Sequence, residues 1–307
     1  MNIVAHPYAP GEAVRDMLLA VTPERAAELS AYWEELDLRV KILDDDGPDG
    51  PIVLDAGSFV FIRFNHRIMR LFWLGSFAMW EGYCAYHHFT STNEENLGRF
   101  REILDCFEAT RVAADVDQVP WPAGIPQPGE LVDHVPGNPA RVGGELAIFG
   151  VSWAVLHEIQ HLIHAQEGTS AAWDDCEACC KEELSCDSFA TSFLIEKVAQ
   201  CAIEADQSES LVSGKRQLGI YGAVFSMTLL SRANWGPGVR HPAMQERIDA
   251  IVERLSHHGL SKVASILAIS AFISLQLAHP DAPDPLRAVS EVAERENWNP
   301  EEPLFDE

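Results

Sequence analysis

Between Leu146 and Ile163 the apolar positions Leu146, Phe149, Trp153, Leu156, Ile159 and Ile163 recur at spacings of three and four, the repeat of an α-helix. The same stretch carries His157-Glu158-Ile159-Gln160-His161. On a helix, positions i and i+4 project from one face about 5–6 Å apart. This segment therefore fixes a helix with two imidazoles side by side and a carboxylate next to them. The rest of the chain has to be arranged around it.

N-terminal to this helix the pattern is mixed. Pro23–Leu38 reads as a helix, with Thr22 as its N-cap and Pro23 at its first position. Leu38–Leu43, Ile52–Leu54 and Phe59–Phe64 read as short antiparallel strands, the first two separated by an acidic, glycine-containing turn. Arg67–Phe89 and Asn93–Thr110 read as helices. From Val119 to Pro139 prolines and glycines are too dense for a regular element. Beyond Gly144 the expected helices are 145–166, 175–205, 216–232, 242–256, 261–279 and 284–297. Strands first and helices after predict an α+β class, with a small antiparallel β-rich N-terminal part and a mainly helical core.

The 307 residues carry 22 Lys+Arg against 47 Asp+Glu, a net charge of −25. A field of that sign argues against nucleic acid or an anionic membrane as a partner. Met1–Pro10 lacks the basic and apolar regions of a signal peptide. The two most apolar stretches, Ile68–Trp80 and Val263–Ala278, fall short of the ~20 residues of a membrane span. The expectation is a soluble, cytoplasmic protein.

His157 and His161 are spaced to hold one zinc ion, and Glu158 beside them is placed to take a proton from water. This is the HExxH arrangement of a metallopeptidase. A catalytic zinc needs a third protein ligand and an open fourth position. His164 lies a full turn further along the same helix, which is poor geometry for a third ligand. The next helix offers Glu183 and Asp187 at i and i+4, on one face. Glu183 can complete the ligand set, and Asp187 can accept the Nδ1–H of a ligand histidine. Glu182 is a rival for the third place, although Cys186 rather than a carboxylate stands four residues after it.

HExxH followed by ExxxD on the next helix resembles the gluzincin metallopeptidases. A third segment, His241-Pro242-Ala243-Met244-Gln245-Glu246-Arg247-Ile248, is similar to the HPxxxxR element that follows these motifs in HtpX-like peptidases. The phrase Glu-Glu-Leu-Ser-Cys-Asp-Ser-Phe-Ala, ending at Ala190, is similar to the phage-exclusion peptidases of the Lit-like group. The resemblance covers about residues 145–255. It implies a zincin-like metallopeptidase core, zinc as cofactor and hydrolysis of peptide bonds in a protein or peptide substrate, with phage defence or a stress response as the setting. It also implies that His241 stabilises charge near the metal and that Arg247 braces a site carboxylate. On this reading the chain divides into a β/α region at 1–118, a Pro-rich linker at 119–142, the peptidase core at 143–256 and C-terminal helices at 257–307.

Five of the seven cysteines fall between Cys176 and Cys201. Cys176, Cys179 and Cys180 precede the ExxxD helix positions, and Cys186 lies inside them. No second C-x-x-C pair follows at the spacing of a structural zinc site, so packed thiols are the expectation. A redox switch beside the zinc and a second structural metal are the alternative roles. The competing function is accordingly a non-enzymatic zinc-binding or redox-sensing interaction protein on the same fold.

Overall fold

The computed structural model describes residues 10–44, 53–56, 61–92, 96–128, 130 and 138–284. The chain starts with α1 (Pro10–Val21), which buries Val14, Leu18 and Val21 on one stripe. A 3₁₀ turn (Pro23–Arg25) leads into α2 (Ala26–Glu35). Three strands follow, β1 (Val40–Leu43), β2 (Leu54–Asp55) and β3 (Ile62–Asn65). Then come α3 (His66–Thr92) and α4 (Gly98–Val112). The remaining helices are α5 (Pro139–Glu167), α6 (Cys176–Ile195), α7 (Val198–Glu204), α8 (Glu209–Leu230), α9 (Met244–Ser256) and α10 (Lys262–Ala278).

The chain is mainly helical with one small sheet near its N-terminus, as the α+β class requires. The sheet is mixed rather than antiparallel throughout. Its order is β1-β3-β2, with β1 parallel to β3 and β2 antiparallel to it. Strands β1 and β2 do not pair across their connection; each finds its hydrogen bonds on β3 instead. Ile62 and Phe64 of β3 face the core, and Arg63 reaches across to Asp55 at 2.7 Å.

Several expected boundaries shift for identifiable reasons. Helix α1 was not anticipated, and Thr22, although at the N-cap position before Pro23, makes no capping bond: its hydroxyl donates back to the Leu18 carbonyl at the end of α1. The expected helix over 175–205 is two helices, α6 and α7. At the break, Arg216 of α8 donates to the Leu194 carbonyl (2.8 Å), and Glu196 pairs with Arg25. Helix α9 begins at Met244, so Pro242 lies before it in a loop. The expected helix beyond Asp284 lies outside the described residues, as do residues 45–52 and 57–60 of the strand region.

Helix α5 is the centre of the molecule. Asn138 caps its N-terminus by accepting from Ala140 N–H, and Pro139 supplies a first-turn residue that needs no hydrogen bond. It therefore starts at Pro139, within the proline-dense stretch. Gly168 ends it in the left-handed conformation, φ +69°. By length and composition α5 is the one described helix that could cross a membrane, but 72% of its most apolar window is buried inside the protein. It packs on α3, α6 and α8. Against α8 the approach is close enough that a Cβ on Gly219 would stand 2.1 Å from Phe149 Cβ. The shorter apolar stretches in α3 and α10 are also largely buried.

Candidate metal centre

Helices α5 and α6 cross so that the His157 and His161 side chains face Glu183. His157 Nε2 lies 3.5 Å from Glu183 Oε2, and His161 Nε2 lies 3.5 Å from Glu183 Oε1. The two imidazole side chains are only 8% and 10% exposed. Each ring turns its other nitrogen to a carboxylate. His157 Nδ1 meets Asp187 Oδ1 at 2.9 Å, and His161 Nδ1 meets Glu182 Oε1 at 2.7 Å. A carboxylate on Nδ1 fixes the tautomer and leaves Nε2 as the ligand nitrogen. Both histidines are thus oriented the same way, with both Nε2 atoms directed at one carboxylate.

The outer partners are themselves held. Asp187 is buried and accepts a two-pronged pair from Arg247, Nε at 2.8 Å and Nη2 at 2.6 Å. Arg247 Nη1 also stands 3.9 Å from Glu183. The second oxygen of Glu182 accepts from Ala171 N–H in the loop between α5 and α6. Trp153 packs its ring 5.8 Å from that of His157 and anchors its indole N–H on Thr191.

Glu158 projects to the other side of the histidines. Its Oε2 accepts from the backbone N–H of Ala56, just after β2, at 2.7 Å. Burial lifts its carboxyl to about 7, against the opposing influence of the two histidines. Burial opposes a charge on His157, yet Asp187 and Glu183 outweigh it and lift the imidazole to about 10. Burial likewise opposes ionisation of Glu183, but His157, His161 and His241 hold it far below the usual carboxylate range.

Does a divalent cation fit? Four carboxylates, Glu158, Glu182, Glu183 and Asp187, converge here with one guanidinium, Arg247. Neutral histidines would leave a surplus of negative charge, which a divalent ion offsets. Ligands around a tetrahedral zinc at 2.0–2.1 Å are about 3.3 Å apart, close to the two 3.5 Å separations. Cys186 is a competing donor. It is buried, and its sulfur, His157 and His161 offer ligand atoms within 4.8 Å of one another. Burial pushes that thiol far up, away from the thiolate that a metal prefers.

His157, Glu158, His161, Glu182, Glu183 and Arg247 line a cleft of about 410 Å³, with Trp173, Arg240 and His241 also on its walls. His241 is exposed on the loop before α9, and its Nδ1 lies 3.4 Å from Glu183 Oε1. His164 points elsewhere, to Ser185 (2.9 Å) and Thr169 (2.8 Å). All seven cysteines are thiols; Cys176 is exposed, and Cys179 and Cys180 are half-buried. Sequence reasoning weighed Glu182 only as a rival ligand and missed its place behind His161. The Ala56 contact is a backbone donor, for which no side-chain pattern could speak.

Comparison with known proteins gives three findings. The family model described as Peptidase U49 matches residues 62–267. A curated relative, the "Cell death peptidase" of Escherichia coli (strain K12), is 25% identical over 162 residues, which is 52% of this chain and 49% of that protein. The chain thus aligns with about half the length of that relative. No solved structure matches.

Proposed function

Because this chain belongs to the Peptidase U49 family, we propose that it is a zinc-dependent endopeptidase. His157, His161 and Glu183 are the ligands in this reading. The observation that carries it is the pair of carboxylate-backed histidines whose Nε2 atoms converge on Glu183. A zinc ion bound there supplies a Lewis acid that polarises a scissile carbonyl and acidifies water. Asp187 and Glu182 keep both imidazoles in the ligating tautomer, and Arg247 holds Asp187 in place.

Glu158 is the general base. Its carboxyl titrates near neutrality and is steadied on one oxygen by Ala56 N–H, leaving the other to take the proton of the attacking water. It then passes that proton to the leaving nitrogen. His241, exposed at the cleft wall beside Glu183, donates to the carbonyl oxygen as that oxygen gains charge. The substrate in this reading is a protein, in keeping with the word peptidase in the name of the E. coli relative, and the setting we propose is phage defence or a stress response in the bacterial cytoplasm.

A second reading has His157, His161 and Cys186 hold a non-catalytic metal, and the closeness of the three donors favours it. It leaves the buried Glu158 without a task. The test of the peptidase is a search for new protein N-termini in cells expressing the parent or Glu158→Gln. The parent produces chelator-sensitive cleavage products, and the variant loses about 10²–10⁴-fold of that activity while keeping its metal. Equal products from both would overturn the role of Glu158.

A further inference from the structure

The cleft contains a second guanidinium that no carboxylate pairs with among the described residues. Arg240 lines the cleft from the loop before α9, and Trp173 lines it from the loop between α5 and α6. The central carbon of the Arg240 guanidinium lies over the Trp173 indole, 3.1 Å from the ring centre. Trp173 is itself 71% exposed, so the pair stands at the rim and bridges two loops. Nη1 of Arg240 is shielded from water and has no hydrogen-bond partner among the described residues. No carboxylate among the described residues pairs with it: Arg247 takes Asp187, Arg63 takes Asp55, and Glu182 has both oxygens engaged.

Stacking uses only the face of a guanidinium. Its N–H donors lie in the plane, directed sideways, in the fork that matches a carboxylate. A buried, charged donor without an acceptor is unfavourable, and native structures rarely keep one without a reason. The surrounding cleft is acidic, and the chain carries a net charge of −25. An unpaired cation in that setting is out of keeping with the general field, which would otherwise repel an acidic peptide.

Resting on the peptidase reading, we infer that Arg240, held over the Trp173 ring, is a specificity-determining residue that receives a substrate carboxylate, so that the preferred substrates carry an acidic group at one fixed position near the scissile bond. Glu158→Gln protein is used for the test, so that bound peptides are not consumed. It is immobilised with zinc and incubated with random hexapeptides, one library amidated at the C-terminus and one with free carboxylates. Retained peptides are sequenced, and the selection is repeated on Glu158→Gln/Arg240→Gln and Glu158→Gln/Arg240→Lys.

The expected result is roughly tenfold enrichment of Asp or Glu over Gln and Asn at one position, lost in the Arg240→Gln background and partly kept with Lys. Acidic enrichment in the amidated library assigns the carboxylate to a side chain; Arg240-dependent retention of the free library over the amidated one, whatever the side chains, assigns it to the C-terminus. Peptides retained equally from both libraries without acidic preference, or with a preference that survives Arg240→Gln, overturn the inference and leave the peptidase reading standing. Failure to retain any peptide on folded, zinc-loaded protein overturns both. Equal thermal midpoints for parent and Arg240→Gln show that the variant is folded.

Discussion

Asp187 shows how much one buried side chain can carry. It is 1% exposed, accepts His157 Nδ1–H, and forms a two-pronged pair with Arg247. Replacing it with Ala frees the His157 ring to turn and leaves the Arg247 guanidinium buried without its acceptor. Zinc affinity should fall about 10–100-fold in a chelator competition. Stability should fall by about 3–5 kcal/mol in a urea titration, because an orphaned buried charge costs that much. Unchanged affinity would remove Asp187 from the site. At this scale much could be read from sequence: the i, i+4 spacing in HExxH and ExxxD puts His157 with His161 and Glu183 with Asp187 on shared helix faces, and the structure brings these four side chains together. The split between Glu182 and Glu183 was harder. Successive helix positions turn by about 100°, so one of them faces the pair of Nε2 atoms and its neighbour reaches a Nδ1. Which does which depends on the angle at which α6 crosses α5.

That crossing is an element-level property, and α5 is closely packed on its other sides as well. Gly219 lets α8 lie against Phe149 of α5. Gly219→Ala would place a methyl group inside Phe149, so α8 must move or the ring must turn. The expected cost is about 1–3 kcal/mol, read in the same urea titration; a neutral result would mean that the two helices are not pressed together as described. Helical periodicity made α5 and most later helices legible. The parallel pairing of β1 with β3 was not, since short strands flanking a turn look like a hairpin until a third strand competes for their hydrogen bonds. The break between α6 and α7 was also hidden. It depends on Arg216 and Arg25, which are distant in sequence and approach Leu194 and Glu196 only in the folded chain.

For the molecule as a whole, one cluster of buried apolar side chains runs from Val14 to Ala282. The N-terminal segment is fastened to α8 by a buried pair, Glu24 with Arg216 at 2.6 Å. The proposed metal lies between α5 and α6 in this packed body, so its binding energy adds to folding. At a free zinc concentration about 1,000 times the dissociation constant the gain is about 4 kcal/mol. Adding a strong chelator should therefore lower the thermal midpoint by roughly 5–10 °C for a chain of this size. His161→Ala should start low and not respond. A parent that melts at the same temperature with and without chelator would contradict this coupling.

The most direct measurement is zinc per chain in purified parent, His161→Ala and Cys186→Ser. The His157–His161–Glu183 site predicts one zinc in the parent, close to none in His161→Ala and one in Cys186→Ser. Zinc that survives His161→Ala, or that is lost with the Cys186 thiol, would place the metal elsewhere and contradict the account; so would a parent that binds none.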